Sequence, residues 1–214
     1  MLSTTFILII FGTISFFLLE QSNTLNQMGI IEKIGNALFQ SVTTRTAGFN
    51  SIDMGNIKTS TALLLMALMF IGGAPLSAAG GIKVTTFAIV FMFVLNAIRK
   101  ENNVCLFNRE ISDKSIKLSI VTINISITFI FIVTLLLTII NPNISLIKIL
   151  FEVVSAFGTV GLTMNLTSEY HGLTELIIVI VMLFGKVGLL TIARAFIPPK
   201  EPQKFRYPKG QIHI

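Results

Sequence analysis

Long apolar runs alternate with short polar stretches along the chain. Four runs are long enough to cross a membrane as helices: residues 3–19, 59–98, 116–140 and 173–197. A helix rises about 1.5 Å per residue, so about 20 residues cover the roughly 30 Å of hydrocarbon in a bilayer. Lipid offers no hydrogen-bond partner to backbone polar groups, so only helices and closed barrels span a membrane. This pattern of long apolar runs therefore predicts an all-α integral membrane protein.

Two further apolar segments, 34–44 and 145–157, are too short to cross. Each is followed by a polar, glycine-containing stretch, "RTAGFN" in the first case and "GTVGL" in the second. At about 1.5 Å per residue these segments reach only about halfway through the hydrocarbon, so a segment that enters the membrane must return. Non-helical backbone at that depth is tolerated only where protein buries it or where it lines a wet cavity.

The chain contains an internal repeat at an offset of 113 positions, since 159 − 46 = 113 superposes Thr159 on Thr46. The same offset superposes Gly161 on Gly48 and Gly185 on Gly72. The same offset therefore relates the two polar turns to each other and also the helices that follow them. We predict two pore repeats of the form helix, short pore helix, re-entrant turn and second helix, because internal repeats are common in transporters.

These units define the predicted organisation of the chain. The boundaries are a first pore repeat at 1–98 with a broken second helix, a basic cytoplasmic loop at 99–115, a second pore repeat at 116–197 and a cytoplasmic tail at 198–214.

The two polar turns suit a dehydrated cation. Rings of backbone carbonyls can replace the water shell of potassium, and glycine supplies the dihedrals that let successive carbonyls point the same way. If the short helices end at the turns, their partially negative C-terminal ends also favour a cation. An ordinary helix connection is the alternative for either turn alone, but the recurrence favours a filter. The candidate filter residues are Thr46, Ala47, Gly48, Phe49, Thr159, Val160, Gly161 and Leu162.

The stretch "IGGAPLSAAGGIK", residues 71–83, interrupts the second apolar region of the first unit. Pro75 removes a hydrogen-bond donor, and the forty residues 59–98 are too many for one straight span. We predict a broken helix whose loop acts as a gate, the alternative being close helix packing through small residues. The candidate gate residues are Gly72, Gly73, Gly80, Gly81 and Lys186.

Charged residues inside apolar segments need partners. Lys186 lies in the last apolar run, where a cation costs at least about 2.5 to 3.5 kcal/mol, so we expect it to contact the gate loop or a carboxylate, or to tie helices together. Glu152 lies on the second short segment. We expect it either to bond to Arg45 or to the filter backbone, or to snorkel to the membrane interface.

Composition agrees with a membrane protein and excludes several functions. The chain of 214 residues is 53% hydrophobic with a mean hydropathy of +0.83, and only 12% of its residues are charged. The net charge is +6, and basic residues cluster in the 99–115 loop and the tail, which predicts that both are cytoplasmic. These stretches lack the aromatic residues that would favour nucleic-acid binding. Isolated histidines and a single Cys105 offer no catalytic or metal-binding arrangement, so we expect no enzyme activity and no resident metal.

The motifs "SVTTRTAGFNSID", "GGAPLSAAGGIKVTTF", "SAFGTVGLT" and "FGKVGLLT" together resemble the Trk/Ktr/HKT superfamily of potassium transporters. The resemblance is strongest to the membrane subunit of bacterial Ktr systems and covers nearly the whole chain. Members fold four such units around one pore, and the two units here look like the third and fourth. The resemblance implies that Gly48 and Gly161 are filter glycines, that 71–83 contains the gate, and that Lys186 replaces an arginine usual in the last helix.

The resemblance also implies partners. They are membrane lipid, a cytosolic nucleotide-binding regulatory subunit, and either the missing N-terminal half of the pore or a second copy of this chain. Half a pore should not conduct. Three explanations of the missing units are open: a piece of a longer protein, a split subunit and a homodimer. We favour the first. We expect potassium uptake across the plasma membrane by a multi-pass protein, with sodium coupling left open. The alternative is a non-conducting assembly or regulatory half of a transport complex.

Overall fold

The computed structural model describes residues 1–75, 77–99, 105–106, 109–166, 170–189 and 191. The elements in this part of the chain are almost all helical. The α-helices are α1 (Leu2–Glu20), α2 (Ile30–Thr43), α3 (Thr59–Phe70), α4 (Val84–Arg99), α5 (Asp113–Ile140), α6 (Leu146–Gly158) and α7 (Leu173–Val187). One 3-10 turn (Met54–Asn56) and two strands, β1 (Cys105–Leu106) and β2 (Arg109–Glu110), complete the set.

Two of these helices have the length and composition to cross a membrane by themselves. They are α1, with 19 residues, and α5, with 28. The apolar helices α3 and α4 are shorter, and residues 71–83 separate them. Helix α3 ends at Phe70 and α4 begins at Val84, so the second apolar region of the first unit consists of two helices here.

Several predicted boundaries were wrong by a few residues. Helix α2 begins at Ile30, four residues before the predicted start, because the Glu32 carboxylate accepts a hydrogen bond from the Gly29 amide at 3.2 Å and caps the helix there. Gly158, predicted to open the second turn, is the last residue of α6. The 99–115 loop contains the antiparallel pair β1–β2, which the all-helical prediction did not include. The tail at 198–214 lies outside the described residues.

The two units pack together through α3 against α6 and through α4 against α5. Within the units, α2 lies against α1 and α7 lies against α6. Every residue from Phe151 to Gly158 is buried, so α6 forms the centre of the described chain. The apolar side chains of α2 are more exposed, as at Leu38 and Phe39. The two short helices therefore have different surroundings although they occupy equivalent places in the sequence.

Candidate functional site

The turns after α2 and α6 share an unusual backbone conformation. Thr46 and Thr159 have φ values of 71° and 53°, and Gly48 and Gly161 have φ values of 76° and 91°. A β-branched residue in the left-handed region is an outlier that costs about 1–2 kcal/mol. The two outliers and the two glycines are separated by the same offset of 113 residues, since 159 − 46 and 161 − 48 both equal 113. The sequence repeat thus extends to backbone geometry.

The two turns meet at their glycines. A Cβ added to Gly48 would collide with the carbonyl oxygen of Val160 and lie 3.6 Å from the Gly161 Cα. A Cβ added to Gly161 would lie 3.7 Å from the Gly48 Cα. The structure therefore brings both halves of the predicted filter together, and at Gly48 both the positive φ and the lack of space require glycine.

The side chains of the two turns differ in exposure. In the first turn Ala47 is exposed and Phe49 is 72% exposed, whereas in the second turn Val160 and Leu162 are 3% and 2% exposed. The second turn is thus fixed by packing of its side chains, and the first is not.

Hydrogen bonds from neighbouring side chains support the first turn. The hydroxyl Oγ1 of Thr43 donates to the carbonyl oxygen of Phe49 at 2.6 Å. The Arg45 guanidinium Nη1 donates to the carbonyl oxygens of Ile71 at 2.5 Å and Leu68 at 3.3 Å, at the end of α3. Arg45 thus connects the first turn to the beginning of the 71–83 loop.

Glu152 supports the second turn. It is 6% exposed and accepts a hydrogen bond from the hydroxyl of Thr163, which follows the turn directly. The guanidinium of Arg45 bonds to α3 carbonyls instead. Glu152 is therefore buried next to the second turn, and a snorkelling position at the interface does not fit this burial.

The 71–83 loop is closed at its base by three backbone hydrogen bonds. Gly72 N donates to Ile82 O at 2.8 Å, Ile82 N to Phe70 O at 3.2 Å, and Val84 N to Gly73 O at 3.1 Å. The predicted gate glycines lie close to one another. A Cβ on Gly72 would collide with the Gly80 carbonyl oxygen, and one on Gly73 would lie 2.6 Å from the Ala79 Cβ.

Three side chains hold the tip of this loop. The Gly80 amide donates to Thr159 Oγ1 at 2.7 Å, which joins the loop to the second turn. Lys186 Nζ, on α7, donates to the carbonyl oxygen of Ala78, and Lys83 Nζ donates to that of Ala79 at 2.6 Å. Lys186 therefore contacts the loop, as expected, through the backbone carbonyl of Ala78.

A model of the TrkH family, described as a cation transport protein, matches residues 1–205. The chain belongs to this family. The Ktr system potassium uptake protein B of Bacillus subtilis (strain 168) is 39% identical over 217 residues, which cover 99% of this chain and 48% of the relative. The protein of the same name from Vibrio alginolyticus is 37% identical over 99% of this chain and 47% of its own length. The potassium/sodium uptake protein NtpJ of Enterococcus hirae is 35% identical over 100% of this chain and 49% of its own length.

A solved structure agrees with this assignment. The crystal structure of the potassium transporter TrkH from Vibrio parahaemolyticus matches with a TM-score of 0.76 at 16% identity, over 92% of this chain and 44% of that one. The family model and the relatives confirm the resemblance to the superfamily, and the solved structure agrees with the helical fold. This TrkH-family chain is a multi-pass protein of the cell membrane. The chain spans about half the length of the curated relatives it matches.

The sequence did not reveal a buried carboxylate at the end of α1 in this TrkH-family chain. Glu20 is fully buried, and its Oε1 accepts from Thr61 Oγ1 at 2.5 Å and from Lys58 N at 2.9 Å. Its Oε2 accepts from Asn23 Nδ2 at 2.7 Å and Thr24 Oγ1 at 2.9 Å. Glu20 thus holds the N-terminus of α3 against the end of α1. The one available signal was an acidic residue at the end of an apolar run.

A second contact missed from the sequence links the loops that follow the two turns. Asp53 Oδ1 accepts from Gly55 N at 2.9 Å and from Asn165 Nδ2 at 3.2 Å. The bond from the Gly55 amide, followed by that from Asn165, lowers the pKa of the Asp53 carboxyl from its ordinary value. This contact joins the two units of the TrkH-family fold. It connects the two segments that follow the turns along the chain.

Proposed function

We propose that this chain forms part of a potassium-uptake pathway across the cell membrane. In this proposal Thr46–Phe49 and Thr159–Leu162 line a selectivity filter through their backbone carbonyls. The observation that carries it is the meeting of two turns, glycine to glycine, with the same left-handed positions in each. Backbone strain of this kind persists where the surrounding structure enforces it, and it is concentrated at functional sites. A carbonyl-lined cation filter requires such a backbone, because carbonyls replace the hydration shell.

The short helices fit the role of pore helices that enter the membrane halfway. They contain 14 residues in α2 and 13 in α6, which corresponds to about 20 Å at 1.5 Å per residue. Each ends directly before its turn, so its partially negative end points toward the filter backbone. This arrangement favours a cation at the turns and supports the helix, pore helix, helix organisation of each unit.

The 71–83 loop fits the role of an intramembrane gate. Its tip is bonded to Thr159, the first residue of the second filter segment, and to Lys186 on α7. Release of these bonds would free the loop from the filter. Gly72, Gly73, Gly80 and Gly81 allow the close backbone approach that the closed loop requires.

The relatives support the ion and the partners of this proposal. Two are named potassium uptake proteins and one a potassium/sodium uptake protein, so we propose potassium as the transported ion, with sodium as the ion to test beside it. Because those relatives are about twice as long, the complete pore takes four units, with the others supplied by the same polypeptide, a partner or a second copy. By resemblance to Ktr systems, a cytosolic nucleotide-binding subunit regulates it. None of these names favours a non-conducting regulatory half.

A pair of glycine substitutions tests the filter. Gly161 and Gly172 both have positive φ, 91° and 61°, and both have room for a methyl group, but only Gly161 lies at the meeting of the turns. Both Gly161→Ala and Gly172→Ala should lose about 1–2 kcal/mol of stability through backbone strain. We expect only Gly161→Ala to change the ratio of potassium to sodium flux into proteoliposomes that hold the complete pore. The same flux ratio in both variants would refute the filter assignment.

A further inference from the structure

We propose that Thr159 couples the filter to the 71–83 loop, so that a cation bound at Thr159 and the closed loop weaken each other's binding. This inference rests on the proposed function and deepens it. The hydroxyl oxygen of Thr159 is the point at which the two structures meet, because it accepts the Gly80 amide hydrogen bond at 2.7 Å.

The contact between Gly80 and Thr159 leaves no free space. A Cβ on Gly80 would lie 2.5 Å from Thr159 Cγ2 and 2.6 Å from its Oγ1. The loop backbone therefore lies directly against the filter residue. Lys186 holds the adjoining Ala78 from the same unit, so two side chains of the second unit fix the loop tip.

Thr46 provides an internal comparison. It occupies the equivalent position in the first turn and has the same left-handed conformation, with φ 71° against 53° for Thr159. Its hydroxyl makes no hydrogen bond within the described residues, in contrast to Thr159. Of the two equivalent threonines, Thr159 alone bonds to the loop, so this bond does not follow from the turn geometry as such; the first turn contacts the loop through the Arg45 guanidinium at Ile71 instead.

The electrostatics of this contact oppose a bound cation. The amide hydrogen of Gly80 carries partial positive charge and points at the Thr159 hydroxyl oxygen, which in this proposal is a ligand of the cation beside the backbone carbonyls. With the loop closed, this oxygen is shared with a donor. When the loop leaves, the oxygen is free for the ion. Linkage is reciprocal, so a cation bound there weakens the hold on the loop by the same factor by which the loop weakens cation binding.

Hydrogen–deuterium exchange of the loop amides tests the contact independently of transport. We expect Thr159→Val to raise exchange at Gly80 about fivefold, the effect of losing one hydrogen bond. Thr159→Ser keeps the hydroxyl and should exchange like the wild type. Thr46→Val, the matched control in the other turn, should leave exchange at Gly80 unchanged. Equal exchange at Gly80 in Thr159→Val and the wild type would overturn the coupling.

The ion dependence completes the test. In the complete pore, replacing choline chloride by potassium chloride at equal ionic strength should raise exchange at Gly80 in the wild type and leave it unchanged in Thr159→Val. No potassium effect in the wild type, or the same effect in both, would overturn the coupling. A potassium effect on exchange together with no potassium flux would support the coupling and refute the proposed transport function instead.

Discussion

Thr43→Val removes a hydroxyl that holds one carbonyl of the proposed filter. Thr43 is 2% exposed and its Oγ1 donates to the carbonyl oxygen of Phe49 at 2.6 Å. Valine has nearly the same shape, so the substitution deletes the hydrogen bond and leaves the packing in place. The equivalent residue of the second unit is Ala156, which has no donor, so this constraint acts on the first turn alone.

The expected magnitude follows from the bond that is lost. One such hydrogen bond contributes about 0.5–1.5 kcal/mol, which corresponds to a factor of about two to ten in an equilibrium constant. Once released, the Phe49 carbonyl can rotate away from the orientation that Thr43 enforces. We therefore expect the potassium-to-sodium flux ratio of Thr43→Val to fall about twofold to tenfold.

Thr44→Val is the matched control for this prediction. Thr44 is also fully buried, and its hydroxyl donates to the carbonyl oxygen of Ser41 at 2.7 Å, within α2 rather than in the turn. Both variants should lose similar stability, but only Thr43→Val should alter selectivity. The assay is competitive tracer flux of potassium and sodium into proteoliposomes that contain the complete pore. Unchanged selectivity in Thr43→Val, or an equal change in Thr44→Val, would refute the reasoning.

Two further predictions concern the supports of the site. Glu20→Gln should lower the free energy of unfolding by about 2–4 kcal/mol, because the amide nitrogen would face hydrogen-bond donors in a fully buried site. Reversible unfolding in mixed micelles measures this free energy. A loss no larger than that of the exposed control Glu32→Gln would contradict the prediction. Gly185→Ala should lower stability by about 1–3 kcal/mol, because the added methyl group would collide with the Phe157 carbonyl and force α7 away from α6. A melting temperature equal to that of the wild type would show that this contact can relax.

The features that the sequence predicted are those that a local pattern determines. The apolar runs predicted α1 and α5 to within three residues at each end, because length and hydropathy decide whether a segment can span. The glycines and Pro75 predicted the interruption at 71–83, since they remove donors and weaken a helix wherever they occur. The offset of 113 residues, given by 159 − 46, likewise predicted two turns of one kind, now visible in their φ values.

The features that the sequence could not predict are contacts between distant polar groups. Glu20 and Thr61 are 41 residues apart, Gly80 and Thr159 are 79 apart, and Asp53 and Asn165 are 112 apart. Periodicity predicts which face of a helix is buried, but not which donor meets which acceptor across elements. The partner of Glu152 stayed open among Arg45, the filter backbone and the interface for this reason: an apolar segment requires a partner for its charge, and only the fold decides which one.

The two turns reach one backbone conformation through different supports. In the first turn the Thr43 hydroxyl and the Arg45 guanidinium hold the chain, whereas in the second a buried α6 and the loop at Gly80 do so. Left-handed threonine costs about 1–2 kcal/mol in each turn, so neither set of supports is dispensable. Because the supporting side chains differ, a substitution in one set should act more strongly on the turn that it holds than on the other turn. The backbone of the proposed filter is thus similar in the two units, and both turns are bonded to the 71–83 loop, the first through Arg45 at Ile71 and the second through Thr159 at Gly80.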